Sequence, residues 1–201
     1  MLMDMFTLDV SAIGGLTHEE FFKLASTNTE LKLERTAQGE IIIMALTGGN
    51  TGFRNSILTA RLTLWCLESK SGKVFDSSTG FKLLNGAVRS PDAAFVRKAG
   101  WEALSEAERS TFPPYCPDFV VELMSNSDNL RSLQEKMREW MENGCQLAWL
   151  IDTAQERVFI YRADASSFSV TTIDGFDAAL SGETVLPHFI FHLAELRDES
   201  A

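Results

Sequence analysis

Apolar residues recur along the chain with two different periods, and the elements follow where the period changes. Thr17-His18-Glu19-Glu20 forms a capping box, in which the Thr17 hydroxyl and the Glu20 carboxylate cover free backbone N–H groups. Phe21, Phe22, Leu24 and Ala25 then predict a helix that ends near Asn28. Residues 31–36 and 40–46 alternate as a hairpin around Gln38-Gly39. After a loop at 47–52, the apolar spacing of residues 53–67 is helical, with Ile57, Leu58, Leu62, Leu64, Trp65 and Cys66 on a broad buried side. Residues 73–76 and 80–84 are short strands. Asn85-Gly86, both tolerant of positive φ, turns the chain into a returning strand over 88–97.

In the second half, residues 101–110 read as a short helix, and Pro113-Pro114 stops regular structure. The run from Phe119 to Met124 is apolar except for Glu122, as expected of a central strand covered on both faces. Ser125-Asn126-Ser127-Asp128 supplies turn and N-cap chemistry for a helix over 129–142, which Asn143-Gly144 ends. Residues 146–152 and 157–162 form another hairpin, with further short strands beyond. Helices interleaved with strands in this order predict an α/β (α+β) fold, a mixed β-sheet flanked by helices. With 201 residues, one domain over 1–201 is expected.

No apolar run is long enough for a transmembrane helix. Residues 1–10 carry Asp4 and Asp9 and lack the positive start of a secretory signal, so a cytoplasmic location is expected. Cys66, Cys116 and Cys145 are widely spaced and odd in number, which argues against a disulfide framework or a thiolate zinc site and for reduced, buried thiols. The net charge of −10 opposes strong non-specific binding to nucleic acid, yet it is also what carboxylates gathered around a metal contribute.

Three residues break the pattern around them. Asp92 stands in Ser90-Pro91-Asp92-Ala93-Ala94-Phe95-Val96, and Glu122 is the one charge in its apolar run. An ionised carboxylate in such a place is costly unless it is paired or bound to metal, and two of them suggest a shared cation. Lys136 lies on the following helix, on one side with Ser132, Leu133 and Trp140. Two carboxylates can hold Mg²⁺ (or Mn²⁺), and a nearby lysine can stabilise developing negative charge, the combination that phosphodiester hydrolysis needs.

These stretches, together with Glu142-Asn143-Gly144-Cys145-Gln146-Leu147-Ala148-Trp149-Leu150-Ile151-Asp152, resemble the Uma-two family of restriction endonucleases within the PD-(D/E)XK nuclease superfamily. Glu34 to Glu40 is similar to the family's early Glu-x-x-x-x-Gly-Glu stretch, and Val185-Leu186-Pro187-His188-Phe189 with Leu193-Ala194-Glu195-Leu196 to its ending, so the likeness runs from about Thr17 to Leu196. The resemblance implies a metal-dependent endonuclease acting on DNA, with Asp92 and Glu122 as metal ligands and Lys136 as the catalytic lysine. It also implies an additional, often helical, acid, for which Glu34 is favoured over Glu40. Where the superfamily often has its lysine, two residues after the second acid, this chain has Met124. The family's usual Ser-Pro-Ser is Ser125-Asn126-Ser127 here. Cutting both strands together favours a homodimer.

Each residue also has a plainer reading. Asp92 can cap backbone after Pro91, Glu122 can pair with Arg89 or Lys136, and a helix lysine is usually solvated. His188 and His192 lack an HExxH context and read as structural, as do Trp65, Trp140 and Trp149 as core. The glycine-rich segment at 48–52 lacks the ending of a phosphate loop and reads as a turn before a helix; such a turn can still approach substrate, with Arg54 and Asn55 close behind in the chain. The alternative function is a non-catalytic interaction domain that retains the nuclease fold. A third reading is a metal hydrolase acting on a small phosphorylated substrate.

Overall fold

The computed structural model describes residues 5–44, 46–125 and 128–197. In chain order the elements are β1 (Met5–Leu8), α1 (His18–Thr27), β2 (Lys32–Arg35), β3 (Ile41–Met44), α2 (Gly49–Ser69), β4 (Gly72–Asp76), β5 (Phe81–Lys82), β6 (Val88–Arg89) and β7 (Ala93–Arg97). There follow α3 (Lys98–Ala103), α4 (Glu106–Arg109), β8 (Phe119–Met124), α5 (Leu130–Glu142), β9 (Leu147–Asp152), β10 (Arg157–Ala163), β11 (Phe168–Asp174), β12 (Ala179–Ser181) and β13 (Ile190–His192). This is the mixed α/β architecture expected, although its strands divide among more than one sheet.

A six-stranded sheet, ordered β11-β10-β9-β8-β7-β4, forms the centre. Its one parallel pair is β8 with β9, joined through α5, and the other neighbours are antiparallel. Alternation along the strands loads both faces. Phe95, Phe119, Val121 and Trp149 pack with Leu58 and Leu62 of α2, and Ala94, Val120, Ala148 and Leu150 with Met137 and Trp140 of α5. The central strands therefore read as apolar runs, as strands covered on both faces must. A second sheet runs β1-β3-β2-β6-β5.

The segment expected as one strand over 88–97 is two. Arg89 ends in the second sheet, Ala93 begins in the central one, and Ser90-Pro91-Asp92 makes the crossing. Pro91 has no N–H for a ladder and restricts the residue before it, so a bend there interrupts no pairing. The Asn85-Gly86 turn forms as expected, with Gly86 at φ 91° and Leu83 N donating to Ala87 O at 2.9 Å.

Other boundaries also move. The α1 capping box is present, but α2 begins at Gly49 and not Phe53, because Gly52 N donates to Gly48 O at 2.9 Å and closes a first turn through the glycines. Glycine costs a helix only about 1 kcal/mol relative to alanine, which a helix this long and well packed absorbs. The helix expected over 101–110 is split into α3 and α4, since Ser105 caps a new helix with Glu108. All three cysteines are free; Cys66 and Cys145 are buried and Cys116 is half-buried. Among the described residues, no helix is long and apolar enough to cross a membrane.

Candidate active site

Along β8, Phe119, Val121 and Leu123 face α2, whereas Val120 and Glu122 turn toward α5. Glu122 therefore enters an otherwise apolar layer and is only 4% exposed. Two residues of α5 meet the same oxygen, Oε1: Lys136 Nζ lies 2.8 Å away and Trp140 Nε1 donates at 3.0 Å. They are four positions apart, so one helix face carries both.

Lys136 reaches further. Its ammonium also contacts Glu34 Oε1 at 2.9 Å and donates to Ser90 O at 3.1 Å. Glu34, from β2, is 2% exposed and also accepts from Ser90 N at 2.9 Å. Arg89 pairs with Glu34 at 3.1 Å and, through Nε, with Glu139 of α5. The bend at Ser90-Pro91-Asp92 is thus fixed from β2 and α5 together.

Asp92 follows immediately. Ala93 pairs with Val121, so the antiparallel register sets Asp92 level with Glu122 at one end of the central sheet. Its Oδ2 accepts from Leu123 N at 2.8 Å and its Oδ1 from Asn55 Nδ2 of α2 at 3.1 Å, while Asp92 N donates to Val121 O at 3.0 Å. The site lies where the layers of α2 and α5 meet around the sheet end.

The two buried glutamates titrate differently because their partners differ. Burial opposes the charge on Glu34, but Lys136, Arg89 and the Ser90 N–H overcome it and hold its pKa below the usual value. For Glu122, burial outweighs its one cation, Lys136, and the charges of Asp92 and Glu34 act in the same direction as burial; its pKa is raised to about 7. Burial would discharge Lys136, but Glu122 and Glu34 instead push its pKa upward.

Asp92, Glu122, Lys136 and Glu34 thus lie in one neighbourhood. Glu40 does not: it sits at the β2–β3 turn, where its N–H donates to Thr36 Oγ1 at 3.1 Å. Neither acid is helical; the helix that touches the site beside Asp92 is α2, through Asn55. Of the two ion pairs considered for Glu122, Lys136 makes one, whereas Arg89 goes to Glu34 and Glu139. Glu139 went unread, although it stands three residues from Lys136 on the same helix face. Trp140, expected as core, is core and a donor to Glu122 as well. Met124 ends β8, half-buried. In the turn that follows, Ser125 N donates to Asp128 Oδ2 at 2.8 Å, and Asn126 and Ser127 lie outside the described residues. His188 and His192 are both exposed.

The model of the Uma2 family, described as "Putative restriction endonuclease", matches residues 18–194. This chain belongs to the Uma2 family. Among solved structures, a crystal structure titled a putative nuclease belonging to DUF820 from Anabaena variabilis aligns with a TM-score of 0.73 at 20% identity, covering 90% of this chain and 97% of that one. At that identity the likeness concerns the fold. No curated protein matches.

The donor set of this Uma2 chain can be tested against the divalent ion such a nuclease implies. With Glu122 ionised, Asp92, Glu122, Glu34 and Glu139 face only Lys136 and Arg89, so negative charge is in excess. The Asn55 Oδ1 oxygen, on the residue that holds Asp92, is buried without a partner. Among the described residues, no three His, Cys, Asp or Glu side chains converge as a metal cage. Two carboxylates with neutral oxygens, and room for water, suit Mg²⁺, which seldom takes an all-protein cage. The residues present fit a hard divalent cation.

Proposed function

We propose that this Uma2 chain is a metal-dependent endonuclease that hydrolyses phosphodiester bonds of DNA, with Asp92 and Glu122 as the ligands of Mg²⁺ (or Mn²⁺). The observation that carries the reading is the largely covered Lys136 ammonium held between two buried glutamates, Glu34 and Glu122, the latter level with Asp92 at one sheet end. Burying such a cluster is expensive, and hydrophobic residues of similar volume would serve stability as well. Held by Asp92 and Glu122, such a cation would supply Lewis acidity toward the scissile phosphate and toward the attacking water near neutral pH.

The chain's own residues do the rest. Glu34 and Glu122 set the Lys136 ammonium in place and keep it charged, with Arg89 fixing Glu34 in turn, so that the ammonium faces the negative charge that grows on the phosphate. Trp140 fixes the Glu122 carboxylate through Oε1, and among the described residues no hydrogen bond to its Oε2 competes with a cation. Leu123 N and Asn55 hold Asp92 against rotation. A homodimer would bring two such sites to the two strands of a duplex.

One observation favours the non-catalytic alternative: the three donors of Lys136 are all taken, by Ser90 O, Glu34 and Glu122, as in a purely structural clamp. Cleavage of supercoiled plasmid by purified protein with Mg²⁺, Mn²⁺ or EDTA separates the two. The nuclease predicts metal-dependent nicking that Asp92→Ala, Glu122→Ala and Lys136→Ala each abolish while the fold is retained. No cleavage of plasmid, single-stranded DNA or RNA, with no Mn²⁺ binding, would leave the interaction domain.

A further inference from the structure

Among the described residues, three buried side-chain nitrogen or oxygen atoms have no hydrogen-bond partner: Arg35 Nε, Trp149 Nε1 and Asn55 Oδ1. The first two are donors. Asn55 Oδ1 is the one acceptor of the three, and so the one that can take a cation. It also sits on the residue that touches Asp92. The amide orientation is dictated by chemistry: Nδ2 faces the Asp92 carboxylate at 3.1 Å, and the reverse orientation would set two acceptors against each other. Leaving a buried acceptor unpaired forfeits its hydration with nothing in return. An unpaired group of this kind calls for a role in a site or for an ion or water that completes it.

Resting on the nuclease reading above, we propose that Asn55 is a third protein oxygen donor of the cation site. Its Nδ2 fixes the rotamer of Asp92, and its Oδ1 supplies a neutral oxygen to the ion. This gives α2 a direct part in the site. Charge favours an amide here over an acid. Asp92, Glu122 and Glu34 are already crowded, and another carboxylate beside Asp92 would raise the cost of the metal-free state. A neutral oxygen adds a ligand without adding to that repulsion, and Mg²⁺ and Mn²⁺ accept carbonyl oxygens readily.

The test is Mn²⁺ titration by calorimetry and by the Mn²⁺-induced rise in melting temperature, with no DNA present. The parent, Asn55→Ala, Asn55→Leu, Asn55→Asp and Asp92→Ala are compared. Asn55→Ala is expected to weaken Mn²⁺ binding by about 10–100-fold, the usual effect of losing a supporting group at a metal site. Asn55→Leu is expected to melt within a few degrees of the parent without metal, because the orphaned acceptor is gone, yet to lose the Mn²⁺-induced rise. Asn55→Asp separates ligation from mere positioning. As a ligand it matches or exceeds the parent in affinity at pH 8; as a positioning group alone it loses the Nδ2 donor, repels Asp92 and binds no better than Asn55→Ala.

Parent-like binding by Asn55→Ala and Asn55→Leu, with Asp92→Ala failing to bind, would overturn the role of Asn55 and leave the nuclease reading standing. Asn55→Asp no better than Asn55→Ala would overturn ligation in the same selective way. Absence of Mn²⁺ binding by the parent would overturn both.

Discussion

Glu122 shows how one side chain can be tuned by what surrounds it. Its carboxyl is covered by the α5 layer, shares its single cation with Glu34, and lies beside Asp92, and burial above all raises its pKa to about 7. The folded chain therefore holds this proton more tightly than the unfolded chain, whose glutamate titrates near 4.5. In the metal-free protein the contribution of Glu122 to stability is fully present below pH 4.5 and is lost as the pH rises through about 7. A cation that requires the ionised form has the opposite preference, since it must displace the proton below that range. The Mn²⁺-induced rise in melting temperature is thus expected to be small at pH 6 and to grow to a plateau by pH 8. The affinity from calorimetry should fall by up to about tenfold per pH unit on the acid side, the limit for one displaced proton. A flat profile from pH 6 to 8 would show that Glu122 does not bind the ion.

At the scale of elements, Lys136 is a clamp. From α5 it joins Glu34 on β2 of one sheet to Glu122 on β8 of the other, and it donates to a third partner, Ser90 O, at the bend between the sheets. Lys136→Met removes the cation and leaves the two glutamates buried together. A loss of about 3–5 kcal/mol is expected in urea unfolding, the usual consequence of breaking a buried ion pair from one side. Adding Glu122→Gln should restore part of it, because position 122 then needs neither a buried charge nor a bound proton once its one cation is gone; additive losses in the double variant would argue against the clamp. The clamp also explains what was legible beforehand. Asp92, Glu122 and Lys136 could be found because charges in apolar runs stand out, and the α1 capping box and the Asn85-Gly86 turn because their chemistry is local. The division of 88–97 between two sheets was not legible, since Val88 and Arg89 suit a strand in either sheet and the choice depends on distant partners in β2 and β8. β1 went unread because a four-residue strand gains its order from pairing with β3 and has little periodicity of its own. Glu139 was an ordinary polar residue at a helical position, and Asn55 stood out only for following the glycine turn; the tertiary structure alone gives them Arg89 and Asp92 as partners.

For the whole molecule, the question is how a chain of net charge −10 meets a polyanion. Of its 18 lysines and arginines, nine are held in ion pairs with the chain's own carboxylates. Arg35, Arg54 and Arg109 donate to backbone carbonyls. Few cations are left to neutralise phosphates; of these, Lys70 and Lys73 line, beside the paired Lys98, a cavity of about 450 Å³ along β4, the edge strand farthest from β11. Affinity for DNA falls with salt by a logarithmic slope of about −0.9 per phosphate neutralised, so few free cations imply both weak binding and a shallow slope. In EDTA, which prevents cleavage, fluorescence anisotropy with a duplex is expected to give a Kd of about 10⁻⁶–10⁻⁴ M at physiological salt, the range of non-specific contacts. The slope should be no steeper than about −3, some three phosphates. Excess divalent cation should tighten binding in the parent more than in Asp92→Ala, because the ion then supplies the positive charge that the protein lacks. A slope near −8 would require about nine phosphate contacts, more than one copy leaves free cations for, and would point to a groove assembled from two copies. Sedimentation at the same protein concentration would then have to find the dimer.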